Sequence, residues 1–201
     1  ARTRPAHGRG LKDRQRTDVF MAPIEFSEEQ SMLMDTAVDF CRKHSPLDRV
    51  RAQIDQPQGI DPSVWQEMID LGWLGITVPE QYGGLGLSLA DAVPIAESMG
   101  RHLMGSPFVA TTLATRALIR SGSEAQKEQW LPQIAAGSAA SLALTEEDGN
   151  WNLTEVASFV EMQDGKLLLT AKKCFVLDAP QAAVILAVSY THLRAHETSN
   201  H

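Results

Sequence analysis

From Glu28 to His44 apolar residues recur at intervals of three and four. Leu33, Ala37, Phe40 and Cys41 fall on one face, which predicts an amphipathic helix. Ser27-Glu28-Glu29-Gln30 has the spacing of a capping box at its start, and Ser45-Pro46 ends it. A polar stretch, residues 53–59, predicts a loop. Asp61 then stands as an N-cap before Pro62, with Val64, Trp65, Met68, Ile69 and Leu71 as a buried side and Gly72 to close the helix. Residues 72–88, GWLGITVPEQYGGLGLS, hold five glycines and one proline, too many for a regular helix. They predict a structured turn in which backbones approach closely. A helix follows Ser88, with Asp91 in its first turn and Pro94 near its start. Another is predicted over residues 107–120. A last one starts at Ser123, carries Trp130, Leu131 and Ile134 on one face, and ends at Gly137.

The period then shortens. Residues 138–147, 156–165, 166–177 and 182–188 read as strands, with Asp164-Gly165 as a hairpin turn between the second and third. The fold class expected is therefore α+β. An all-α domain spans residues 21–137, and part of an antiparallel, barrel-like β-domain spans residues 138–187.

Composition narrows the function. Apolar residues make up 43%, as in a globular protein, and no apolar run reaches the ~18 residues of a membrane span. The net charge of −7 argues against a nucleic-acid partner. Cys41 and Cys174 are far apart and match no metal spacing, which suits a reduced, cytoplasmic protein.

Charge also separates the ends from the middle. Residues 1–20 carry six Lys or Arg against two Asp or Glu, and residues 188–201 carry one of each sign. Residues 21–187 retain 11 basic and 22 acidic residues, a net of −11. The basic head shows no periodicity. It is expected to be sequence upstream of a start at Met21, with a transit peptide or a tag as the alternative. In the tail, VSYTHLRAHET back-translates to a match with the transposase adaptor of sequencing libraries, so the native polypeptide is expected to run to about Ala187 and to belong to a longer gene product. The alternative is a natural exposed tail. His192 and His196, four residues apart, would share a helix face there, but they are not assigned as metal ligands.

SEEQ, GWLGITVPEQYGGLGLS, LPQIAAG and SLALTEE stand in one order along the chain. This ordered set resembles the acyl-CoA dehydrogenase family. The resemblance implies a helical domain, a middle β-domain and a C-terminal four-helix bundle. It also implies FAD as cofactor and acyl-CoA as substrate. A proton leaves the carbon beside the thioester carbonyl, and a hydride passes from the β-carbon to the flavin. An electron-transfer flavoprotein as partner and a homo- or hetero-oligomer are implied as well. The family's base is a Glu of the C-terminal bundle, so no catalytic residue is assigned here and a fragment without that bundle is expected to be inactive.

The same resemblance assigns Leu142, Leu144, Thr145, Phe175, Val176 and Leu177 to the cofactor and Trp151 to the substrate. Thr145 lies in Ala143-Leu144-Thr145-Glu146, which matches the family's A-L-T-E; its simpler reading is a threonine favoured in a strand. Two departures stand out. Where the family continues P-x-A-G-S-D, this chain has Glu147-Asp148-Gly149-Asn150-Trp151-Asn152, which places negative charge where phosphate would lie. A metal site at Glu146, Glu147 and Asp148 is disfavoured, because neighbours in a strand point to opposite faces. Where the family has K-x-W-I-T-N, this chain has Lys173-Cys174-Phe175-Val176-Leu177-Asp178. Phe175 can replace the aromatic wall. Leu177 cannot supply the hydroxyl that bonds flavin N5, a loss of ~1 kcal/mol at a buried polar atom. Cys174 reads as a small strand residue.

Three functions follow from these residues: a flavin-dependent acyl-CoA dehydrogenase, a non-catalytic partner subunit of a heteromeric one, or a flavin oxidase or monooxygenase on the same scaffold. Unpaired strand edges in residues 138–187 predict that the isolated fragment aggregates or stays partly unfolded.

Overall fold

The computed structural model describes residues 25–54 and 60–191. Within them, helices come first and short strands follow, an α+β arrangement. The predicted leader at residues 1–20, Met21, His192 and His196 lie outside the described residues.

The helix starts follow their local signals. Helix α1 spans Glu28–His44. Ser27 Oγ accepts from Gln30 N at 3.2 Å, and Gln30 Oε1 accepts from Ser27 N at 3.1 Å, the reciprocal pairing of a capping box. Glu28 and Glu29 at its start and Arg42 and Lys43 at its end complement the helix dipole. Helix α3, Pro62–Asp70, is capped by Asp61, which accepts from Ser63 N at 2.8 Å. Helices α4 (Leu89–Arg101) and α6 (Glu124–Ala135) begin with the same boxes at Ser88–Asp91 and Ser123–Gln126. Helix α5 spans Phe108–Ser121.

Two details differ from the sequence reading. Leu47–Ile54 forms a further helix, α2, so residues 53 and 54 end a helix rather than begin a loop. Leu47, Val50 and Ile54 recur at helical spacing along it, a short signal that the sequence reading passed over, and the helix buries no residue. Pro94 lies beyond the first turn of α4, where it gives up one backbone bond while its ring is buried in the core.

The glycine-rich stretch at residues 72–88 is the close-approach turn expected. It holds two short 3₁₀ turns, Trp73–Gly75 and Glu80–Tyr82. Its second half folds back onto its first: Leu85 N donates to Gly75 O at 2.9 Å, Gly86 N to Val78 O at 2.8 Å and Leu87 N to Ile76 O at 2.9 Å. A Cβ on Gly84 would lie 2.1 Å from Val78 O and 2.6 Å from Gly75 O, so only glycine fits.

Two apolar clusters hold the helices. Phe40, Met68, Trp73, Ile95, Met99 and Phe108 join α1, α3, α4 and the start of α5. Val78, Ala114, Leu118, Leu131, Ile134 and Ala140 join the turn, α5, α6 and the first strand. Burial of each large side chain stabilises by about 1.5–3 kcal/mol.

Strand β1, Ala140–Ala143, is seated on the helices by polar bonds as well. Thr111 Oγ1 accepts from Ala140 N at 3.1 Å and donates to Ala140 O at 3.3 Å. Strands β2 (Phe159–Gln163) and β3 (Lys166–Thr170) form the expected antiparallel hairpin across Asp164-Gly165, both at positive φ. The rest of the pairing is parallel, a correction to the all-antiparallel expectation. β1 pairs with β4 (Val184–Ala187), and β2 pairs with β5 (Tyr190–Thr191). Residues 171–177 are not continuous strand; they touch the first strand region through a single antiparallel bridge, Glu146 to Lys173. No helix among the described residues is long and apolar enough to cross a membrane.

Candidate functional site

Two strips of chain run side by side beyond β1. Residues 141–146 run along β1 and past its end, and residues 173–177 approach the 3₁₀ turn Ala179–Gln181. Cys174 N donates to Thr145 O at 2.8 Å, and Ser141 Oγ donates to Leu177 O at 2.5 Å. Lys173 Nζ reaches Leu144 O at 3.3 Å. These bonds bring Leu144, Thr145, Phe175, Val176 and Leu177 into one region.

The side chains of that region offer a mixed surface. Thr145 is 5% exposed. Phe175 is 84% exposed and sits at φ 53°, a left-handed conformation that costs a bulky residue energy. Leu177 is 63% exposed. Leu142 is placed differently: it lines a cavity of about 460 Å³ with Leu118, Trp130 and Leu186, on the side of β1 that faces α5 and α6.

Trp151 stands 75% exposed on the loop that leads to β2. That loop is held by side chains that each cap a backbone N–H two residues on. Asp148 accepts from Asn150 N at 3.0 Å, Asn150 from Asn152 N at 2.9 Å and Asn152 from Thr154 N at 3.2 Å. The three acids do not converge. Glu147 pairs with Lys172 at 2.6 Å, Asp148 caps the loop, and Glu146 turns to Lys173. Among the described residues no three metal-ligating side chains come together.

Glu146 is the residue whose importance the sequence reading missed. Its carboxylate accepts from Lys173 Nζ at 2.9 Å, Ser158 N at 2.8 Å and Ala157 N at 2.7 Å, and from the Ser158 hydroxyl. The Ser158 hydroxyl first, then the Lys173 ammonium, then the two backbone donors hold its pKa down at about 2. The available signal was a Glu in one quoted stretch and a Lys at the start of the other; Ser158 gave none. Asp178, next along from Leu177, has its pKa raised by burial.

The sequence profile of the acyl-CoA dehydrogenase N-terminal domain matches residues 27–138, more than half of the chain. The chain belongs to the acyl-CoA dehydrogenase family. It is 31% identical over 175 residues to the mitochondrial isovaleryl-CoA dehydrogenase of Pongo abelii, covering 84% of this chain and 41% of that protein. Among solved structures it is similar to a variant of the Tcur3481-Tcur3483 steroid ACAD, with 26% identity and a TM-score of 0.74 over 82% of this chain and 45% of that one. It is also similar to an acyl-CoA dehydrogenase complexed with FAD from Bacillus anthracis, with 26% identity and a TM-score of 0.69 over 84% of this chain and 30% of that one. This acyl-CoA dehydrogenase chain thus spans less than half the length of the relatives it matches.

The family implies FAD, and the residues present fit its ring. A nearly buried threonine, Thr145, lies beside an exposed aromatic at Phe175, with exposed apolar surface at Leu177. The acids nearby are internally neutralised or bonded, which reduces the electrostatic cost noted from the sequence.

Proposed function

We propose that the full-length protein is a flavin-dependent acyl-CoA dehydrogenase that oxidises the α,β carbon–carbon bond of an acyl-CoA thioester. The observation that carries this reading is the pairing of the two strips, which sets the nearly buried Thr145 close to an exposed Phe175. Bound FAD would supply the hydride acceptor. Thr145 would donate to a polar edge of the flavin ring, Phe175 would cover one ring face, and Leu144, Val176 and Leu177 would keep water from it. Leu142 sits toward the α5–α6 cavity and would support β1 from behind. Trp151 would contact the acyl-CoA from its exposed loop. An electron-transfer flavoprotein is the proposed electron acceptor, and a homo- or hetero-oligomer the proposed assembly. The unpaired Cys41 and Cys174 support a cytoplasmic setting.

The test is the colour and chemistry of the purified full-length protein. A yellow protein that passes electrons to a dye when given an acyl-CoA supports the reading. A colourless protein that is stabilised by a second, flavin-bearing subunit would replace it with the partner-subunit reading, which the missing hydroxyl at Leu177 favours.

A further inference from the structure

Glu146 and Lys173 are 27 residues apart in sequence and almost wholly covered: their side chains are 14% and 6% exposed. A Lys and a Glu so placed carry a desolvation cost that only close pairing offsets. The pair has that closeness, 2.9 Å, and every further bond it makes goes to the flanks of the proposed flavin strips. Lys173 Nζ holds Leu144 O at 3.3 Å. Glu146 holds Ala157 N, Ser158 N and the Ser158 hydroxyl, and so ties in the approach to β2. One residue before Glu146 is Thr145, and one residue after Lys173 is Cys174, whose N–H bonds Thr145 O.

We propose that Glu146 and Lys173 form a positioning pair that sets the register of Thr145 against Phe175–Leu177. This rests on the flavin reading above and adds to it the group that holds the pocket's edge together. Neither side chain needs to touch the flavin. The pair acts through the Cys174–Thr145 bond, so its loss lets the two strips slide or part while the helices, whose cores lie elsewhere, stay folded.

The experiment compares Glu146→Gln, Lys173→Met and the double variant with wild type in the full-length protein. Two readouts are needed: the FAD dissociation constant, and amide hydrogen exchange at Cys174 relative to amides of α1 and α4. The proposal expects each single variant to weaken FAD binding about tenfold or more and to speed Cys174 exchange by a similar factor, with helix amides unchanged. The double variant should lose less than the product of the singles, because it removes both members of a pair rather than stranding one buried charge. Unchanged Cys174 exchange, or single-variant effects that simply multiply, would overturn the proposal. If wild type itself binds no FAD, the flavin reading fails, and Cys174 exchange alone still decides whether the pair sets the register.

Discussion

Trp65 donates its indole N–H to the carbonyl of Gly137 across 2.9 Å, a bond that ties α3 to the turn leading into β1. Gly137 sits at φ +110°, and a Cβ there would lie 2.3 Å from Ile69 Cδ1. Strain and crowding act together at this position. Gly137→Ala is expected to cost about 2 kcal/mol, read as a lower urea midpoint in chemical denaturation. An unchanged midpoint would mean that the turn can be rebuilt without left-handed backbone.

Two adjacent glycines separate strain from crowding. Gly83 is at φ +84° with nothing within 4 Å of its would-be Cβ, whereas Gly84 is blocked by the backbone oxygens of Val78 and Gly75. Gly83→Ala should cost about 1 kcal/mol, from backbone conformation alone. Gly84→Ala should cost about 3 kcal/mol or prevent folding, since backbone atoms cannot move aside as a side-chain tip can. Thermal melts of the two variants, side by side, check the order.

Glu146 predicts an acid limit. Its folded pKa of about 2 lies below the ordinary value of 4.5, so its ionised form is the one the fold favours. The stabilisation is complete above about pH 4.5 and is lost as pH falls from there toward about 2. The groups facing it are the Lys173 ammonium, the Ser158 hydroxyl and two backbone N–H groups. Stability measured between pH 5 and pH 2.5 should fall more steeply for wild type than for Glu146→Gln. Parallel curves would show that the carboxylate gains nothing from its partners.

Strand β3 carries Leu167, Leu168 and Leu169, all exposed, on the edge of its three-stranded sheet. Such an edge invites pairing with another chain. Residues 21–187 expressed alone should elute from size exclusion as aggregates, and Leu168→Lys should raise the soluble fraction. A monomer that melts cooperatively would contradict this.

The helical half was legible because its signals are local. Ser27, Asp61, Ser88 and Ser123 announce helix starts within four residues, and the crowding of glycines at residues 72–88 announces a folded-back turn. Helix α2 was missed although Leu47, Val50 and Ile54 recur at helical spacing: eight residues directly after Ser45-Pro46 give a signal of only two turns. The parallel β1–β4 pairing depends on partners more than forty residues apart and on the seat that Thr111 provides, neither of which leaves a periodic trace. Thr145, Phe175 and Leu177 were named through family resemblance, and the structure then brings their backbones together. Glu146 was read as part of the A-L-T-E match, as negative charge near phosphate and as a disfavoured metal ligand, never as a partner of Lys173. Its pairing needs Lys173 and Ser158 to arrive from two other segments, which no spacing rule encodes.

The proposed role of this chain is to form part of a flavin site that accepts hydride from acyl-CoA. Its most direct test is anaerobic titration of the purified full-length protein with an acyl-CoA thioester, followed by the flavin's visible absorbance. The account predicts a yellow protein whose visible band bleaches as substrate is added. A protein that cannot be loaded with FAD, or one whose bound flavin stays oxidised against every thioester tried, would contradict it.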